Sequence, residues 1–284
     1  MTENTDDDTT PETFYDGLAP FYHLIYPDWE ASMRRQAAAL DALIKRTWGE
    51  GQVRTILDVA CGIGTQALGL AALGYQVTGS DLSRREIVRA KQEADARTLD
   101  IDFAVADMRN AFATHGQQQF DLVIACDNSV PHLLSDADLL TAFREFYACT
   151  KPGGGCLITV RDYETEERTG TQIKPIGVRH DGDKKHLVLQ VWEFLESPPG
   201  SPLLYDLSLY LITDAGGNAA DPPEAACSTR VLRSRYYAVG TAALMALLEQ
   251  AGFQDVARFD DAFYQPVLLG KKPLSDQKEY RAGG

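Results

Sequence analysis

The stretch Thr55-Ile-Leu-Asp-Val-Ala-Cys-Gly-Ile-Gly-Thr65 decides the fold. Its first six residues form a nearly continuous apolar run, the pattern of a strand covered on both faces in a parallel sheet. Gly62 and Gly64 follow. Without a Cβ they let the chain turn tightly and bring its backbone close to a ligand. From Thr65 to residue 73 the pattern is helical, and Gly74 stops it. The start of that helix offers unpaired N–H groups to an anion. A second strand, residues 75–80, leads to Asp81, nineteen residues after Gly62. A carboxylate at that place can accept two hydrogen bonds from a ribose diol.

Outward from this unit the alternation continues. Ser83, with Glu86 three residues on, has capping-box spacing at the head of a helix over 83–99. Residues 101–106, 120–126 and 156–160 read as strands, with a helix at 136–149 before the last. Strands alternating with helices predict right-handed crossovers, hence an α/β, doubly wound, mostly parallel seven-stranded sheet. The rhythm changes at 186–195, 203–213 and 229–239, three strand-like stretches separated by loops at 198–200 and 216–223. They predict a small antiparallel β insertion over the active site. A helix over 241–251 and closing strands at 255–259 and 263–270 complete the core. The expected organisation is a disordered acidic tail (1–13), an N-terminal helical lid (14–50) and a nucleoside-binding domain (51–164). An antiparallel insertion (165–238), the C-terminal core elements (239–272) and a tail (273–284) follow.

The chain has 284 residues, 44% hydrophobic and 24% charged, enough to bury a sizeable core. Its 41 acidic against 27 basic side chains give a net charge of −14, which repels phosphate backbones and argues against a nucleic-acid partner. Apolar runs such as 67–73 fall far short of the ~20 residues of a membrane span. The polar, acidic start lacks the apolar core of a signal peptide. Five cysteines, an odd number with no C-x-x-C pair and four of them in apolar runs, read as reduced, buried thiols, so a cytoplasmic location is expected. No His/Cys/Asp/Glu group has metal-ligand spacing, so no metal is expected.

Taken alone, Gly62-x-Gly64-x-x-Ala67 also fits a dinucleotide fingerprint, which leaves an NAD(P)-dependent oxidoreductase open. Asp58 separates the readings. A carboxylate at the end of the first strand would repel a pyrophosphate but suits the ammonium or sulfonium of S-adenosylmethionine. With Asp58, Cys61, Gly62, Gly64 and Asp81, the sequence resembles the class I S-adenosylmethionine-dependent methyltransferases over residues 55–163. Ala106-Asp107-Met108 resembles their adenine site, and Lys151-Pro-Gly-Gly154 the turn that they carry before the fifth strand. The resemblance implies S-adenosylmethionine as cofactor, with Ala60, Leu82, Cys126, Tyr22 and Arg34 also at its site.

Within that family the chain is most similar to the glycine/sarcosine N-methyltransferase group. Asn128-Ser-Val-Pro-His132-Leu resembles their Asn-Ser-x-x-His-Leu stretch, Arg161-Asp-Tyr163 their Arg-Asn-Tyr, and Ser234-Arg-Tyr236-Tyr237 their Ser-Tyr-Tyr. The resemblance implies that Asn128 contacts the acceptor, that Arg161 pairs with an acceptor carboxylate, and that a tyrosine such as Tyr236 lines the pocket. On a strand Tyr236 and Tyr237 face opposite ways, so at most one reaches it. Tyr15 and Tyr22 are candidates for a closing lid. His132 reads either as a proton acceptor or as a loop holder, and Arg161 alternatively as a partner of Glu164, Glu166 or Glu167. Asp127 and Asp162 replace a glycine and an asparagine of the group, which predicts a more acidic pocket favouring a cationic acceptor. The expected partner is a small-molecule methyl acceptor, with transfer to nitrogen favoured and transfer to oxygen, or to a larger natural product, open. A non-catalytic sensor of S-adenosylmethionine and a homo-oligomer, whose neighbour closes the lid, also stay open.

Overall fold

A computed structural model describes residues 10–198, 200–214 and 227–274. The expected tail up to residue 9, the whole 216–223 loop and the tail from 275 lie outside the described residues. Residues 11–13 were expected in that tail. Instead they open helix α1 (Pro11–Leu18), because Thr10 caps it through Thr13 N–H and Pro11 supplies a preset φ at its start. A short 3₁₀ turn (Tyr22–Ile25) and helix α2 (Trp29–Trp48) follow, the latter capped by Asp28.

The core alternates strand and helix: β1 (Thr55–Asp58), α3 (Thr65–Ala72), β2 (Gln76–Asp81), α4 (Arg84–Ala96), β3 (Asp102–Val105), α5 (Ala111–His115), β4 (Phe120–Ala125), α6 (Asp136–Cys149) and β5 (Thr150–Thr159). After the insertion come α7 (Thr241–Ala251), β10 (Gln254–Phe259) and β11 (Val267–Lys271). The seven strands lie in the order β10-β11-β5-β4-β1-β2-β3, with β11 alone antiparallel to its neighbours. β1 is an interior strand between β4 and β2, and Ile56 and Leu57 are fully buried as its apolar run requires. The Lys151-Pro-Gly-Gly154 turn lies inside β5 as an irregularity. There Gly154 packs so closely on Asp121 that a Cβ would stand 2.3 Å from its carbonyl oxygen.

The insertion is a separate antiparallel sheet of four strands: β6 (Thr171–Asp181), β7 (Lys184–Phe194), β8 (Leu204–Asp214) and β9 (Cys227–Tyr237). β6 is absent from the sequence reading. It is an edge strand, mostly exposed, with Pro175 and Gly177 at a register shift, so it carries the breakers that edges tolerate and central strands do not. On β8 the alternating Tyr205, Leu207, Leu209 and Leu211 face the α/β core with Trp192, Tyr236 and Val188, one continuous cluster with Phe143, Phe146 and Ile158. This packing sets the insertion over the carboxyl ends of β4 and β5, beside α1.

Candidate active site

Two cavities adjoin at the carboxyl ends of the parallel strands, the usual ligand position in an open α/β sheet. The larger, about 280 Å³, is lined by the glycine loop, Asp81 and Leu82, Ala106 to Arg109, and Cys126. Gly62 (φ +54°) and Gly64 (φ +97°) both adopt conformations that side chains disfavour, but for different ends. A Cβ on Gly64 would press on Leu68 of its own helix at 3.0 Å, whereas one on Gly62 would enter the cavity, 3.3 Å from Glu86 Oε2. Asp81 is fixed by the loop it faces: Gly62 N–H donates to one oxygen at 3.0 Å and Ser83 N–H to the other at 2.8 Å. Burial nevertheless raises its pKa to about 6. Each oxygen keeps a lone pair for a hydroxyl in the cavity.

Asp58 lies wholly buried beneath Val59 and Ala60, which line the cavity. Ala60 N–H donates to its Oδ1 at 3.3 Å, and Oδ2 has no partner. Burial pushes its pKa up to about 7. Asp107 lines the cavity too, but burial, which would raise its pKa, is outweighed by Arg109. The guanidinium and N–H of Arg109 bind both of its oxygens and hold it below the carboxylate range. Met108, Leu82 and Cys126 supply apolar wall, and Tyr22 closes one side. Arg34 is not there. It stands on the outer face of α2, its side chain 69% exposed, within 4.0 Å of Glu30 one turn back, so its place in the helix directs it to solvent.

Sequence reading missed Glu86 as a cavity residue. Its N–H takes the Ser83 cap, but the Ser83 N–H that would receive its carboxyl is occupied by Asp81. The carboxyl therefore turns into the cavity, 1% exposed, with Oε1 unpartnered and its pKa raised by burial, Asp81 and Asp16. An unmet, acidic floor with a glycine cradle fits a cationic nucleoside and opposes a pyrophosphate.

The second cavity, about 100 Å³, lies between α1, the strap around Tyr22 and the inserted sheet. Tyr15, Tyr22 and Asp127 line both cavities, so the two share a wall. Arg161, Asn128, Gln190, Tyr205 and Tyr236 also line the smaller one, beside apolar side chains such as Leu18 and Leu207. Tyr236 is buried there, whereas Tyr237 points outward and donates to Asp136. The Arg161 guanidinium stacks on Trp192 at 4.3 Å, and its buried Nη1 has no partner. Among the described residues it pairs with none of the three glutamates: Glu166 holds Lys174 and Glu164 holds Thr241.

Asp127 and Asn128 are consecutive non-glycine residues at positive φ (+58° and +64°), a conformation that Asp and Asn tolerate best. Thr159 holds both N–H groups, through its hydroxyl and its carbonyl. The carboxylate of Asp127 accepts from Tyr26 at 2.6 Å and from Tyr264 at 2.5 Å. Asp162 is paired with Arg258 at 2.6 Å and does not line the cavity. The acidity expected of Asp162 is thus balanced by a guanidinium, whereas Asp127, held by two uncharged phenols, lines both cavities.

His132 stands in the wall, its Nε2 2.8 Å from Tyr15 Oη and its Nδ1 3.3 Å from Ser234 Oγ. Burial lowers its pKa to about 3, so near neutral pH it is an uncharged hydrogen-bonding partner and a poor base. Both ring nitrogens are thus engaged, an arrangement that fits a holder of Tyr15.

Residues 56–154 match the family model of a methyltransferase domain. The chain is 30% identical over 148 residues to a glycine/sarcosine N-methyltransferase of Parasynechococcus marenigrum, covering 52% of this chain and 50% of that one. It is 38% identical over 99 residues to a ubiquinone biosynthesis O-methyltransferase of Roseobacter denitrificans, covering 35% and 38%. The matches thus span half or less of these relatives' length. In fold it is similar to Streptomyces venezuelae DesVI, at TM-score 0.69 and 18% identity over 90% of this chain and 98% of that one. The glycine cradle, the buried acid beside it and the family match agree: residues 56–154 form a methyltransferase domain of the class I S-adenosylmethionine-dependent kind, with S-adenosylmethionine as its cofactor.

Proposed function

We propose that the protein methylates the nitrogen of a small, amino-acid-like acceptor whose carboxylate is held by Arg161. One observation carries this reading: Arg161, stacked on Trp192 and with its buried Nη1 unpartnered, lines a chamber of about 100 Å³ that shares a wall with the donor cavity. A guanidinium without a carboxylate in such a place suits a carboxylate supplied by the ligand.

Bound in the larger cavity, S-adenosylmethionine supplies an electrophilic methyl group on a sulfonium. The chain's own work is alignment and exclusion of water. Arg161 anchors the carboxylate, and Tyr15, Tyr22 and Tyr236 close the chamber around the amine. Burial raises the pKa of these three phenols, so they remain neutral and can orient the nitrogen without competing as nucleophiles. The acceptor would enter as the neutral amine, and its lone pair would take the methyl group that the bound donor supplies, the carbon–sulfur bond pair going to sulfur. The nitrogen leaves with the positive charge and loses a proton to water. With His132 so weakly basic, no dedicated base is assigned.

A methyl-transfer screen with amines, amino acids, guanidino compounds and phenols tests this reading. Amino acids or other carboxylate-bearing amines should be methylated best; turnover confined to phenols would end the nitrogen assignment. The four buried, unpaired thiols and the net charge of −14 support a cytoplasmic enzyme with a small-molecule rather than a nucleic-acid substrate.

A further inference from the structure

We propose that the outer end of the inserted sheet forms a second ligand site, for a phosphate-type oxyanion, distinct from both active-site cavities. A cavity of about 440 Å³ opens there between β7, β8, β9 and Phe21. Cross-strand pairing aligns His186, Thr213 and Ser228 on one face of the sheet. His186 is 2% exposed and lines the cavity, with Nδ1 2.9 Å from Thr213 Oγ1 and Nε2 without a partner. With the threonine hydroxyl donating to Nδ1, the tautomer that an oxyanion in the cavity would select, the ring proton lies on Nε2, a donor with nothing in the fold to receive it. A buried polar group in that condition destabilises the fold unless something in the cavity satisfies it.

What surrounds the ring sets the chemistry. Lys184, Arg230, Ser228 and Thr229 line the same cavity, and all can donate. Arg230 lies over the Phe21 ring at 5.3 Å, and neither it nor Lys184 forms an ion pair among the described residues. The acid in the lining is Asp181, whose carboxylate is 3.8 Å from His23 Nε2. On a chain of net charge −14, two cations and two hydroxyls gathered round an unsatisfied imidazole N–H run against the general field. A tetrahedral oxyanion can accept from the ring, the hydroxyls and the guanidinium together, and the cavity leaves room for a small molecule bearing it. None of these residues lines either active-site cavity.

Calorimetric titration of the full chain with inorganic phosphate tests the proposal, at fixed ionic strength and with S-adenosylhomocysteine saturating the donor cavity. Sodium acetate in a parallel titration separates phosphoryl from carboxylate recognition. Saturable phosphate binding is expected, weakened at least tenfold in Arg230→Gln and in His186→Asn, with acetate far weaker. Arg230 is exposed, so its variant keeps the fold, which unchanged S-adenosylhomocysteine affinity would verify. Absence of saturable binding means that water satisfies His186, and overturns the site. Phosphate binding at full strength in both Arg230→Gln and Lys184→Gln does the same, and acetate binding equal to phosphate overturns the ligand class.

Discussion

The side-chain oxygen of Asn128 lies 3.0 Å from the backbone nitrogen of Arg161 and accepts its hydrogen. The same side chain donates through Nδ2 to Tyr163 Oη at 2.9 Å, and Tyr163 in turn meets Tyr205 at 2.9 Å. Asn128 thus ties the loop after β4 to the loop after β5 and to the inserted sheet. The resemblance to the glycine enzymes implied a direct contact with the acceptor. The geometry gives it a further task, which is to hold the backbone from which Arg161 projects.

That joint makes Asn128 a testable positioning residue. Asn128→Ala removes both hydrogen bonds and puts alanine at φ +64°, so it should destabilise the fold by about 2–4 kcal/mol. Asn128→Asp keeps the acceptor for Arg161 N–H and tolerates the backbone. Acceptor KM should rise about tenfold or more in the alanine variant and much less in the aspartate variant. S-adenosylhomocysteine affinity, measured by calorimetry, should hold in both.

Arg161→Ala should raise acceptor KM by well over tenfold, since losing a bidentate charged contact in a water-excluded pocket typically corresponds to ~2–5 kcal/mol. Arg161→Lys should rescue little, because an ammonium neither forms the planar fork nor stacks on Trp192 in the same way. Steady-state kinetics with donor held at saturation reads both. An acceptor KM indifferent to Arg161→Ala would falsify the carboxylate model.

Donor binding should depend on pH through Asp58 and Asp81, raised by burial to about 7 and about 6. In the free protein both carboxyls hold their protons more tightly than in the unfolded chain. Their contribution to stability is therefore fully present below about pH 4 and is lost as pH rises through 6 and 7. A cationic donor favours the ionised form of Asp58, so affinity for S-adenosylhomocysteine, which keeps the ammonium, should rise between pH 5.5 and 8. Binding at pH 6.5 should release protons, seen as a buffer-dependent calorimetric enthalpy. Asp58→Asn should weaken binding and flatten that profile; a profile left unchanged would remove Asp58 from the donor site.

The donor half of the site was legible in the sequence because its signals are local. Gly62, Gly64 and Asp81 sit on one strand–helix–strand unit, where spacing alone sets their meeting. The acceptor half was legible only as residue types. Asp127 and Asp162 read as surplus acid, because their partners Tyr26, Tyr264 and Arg258 are 101, 137 and 96 residues away and only the fold brings them in. The edge strand β6 was missed for a related reason: Pro175 and Gly177 look like loop residues unless a bulge at a sheet edge is already in view. Glu86 read as a capping residue, and nothing local shows that Asp81 has taken its intended donor.

Glu86 offers a prediction in which stability and binding move in opposite directions. Its carboxyl is buried, unpartnered at Oε1 and set beside Asp81, a combination that destabilises the donor-free fold. Replacing it with methionine removes the unsatisfied group while keeping a flexible chain of similar length. Glu86→Met should therefore stabilise the donor-free protein by about 1–3 kcal/mol, which for a chain of this size raises Tm by several degrees. Should the carboxyl meet a hydroxyl or ammonium of the donor, the same variant loses affinity for S-adenosylhomocysteine by about tenfold. Glu86→Gln, which still donates and accepts, should lose far less. Thermal unfolding with and without S-adenosylhomocysteine separates the two effects. A Tm that falls in the donor-free Glu86→Met protein would mean that the carboxyl already has a partner inside the fold, and its assignment to the cavity would have to be withdrawn.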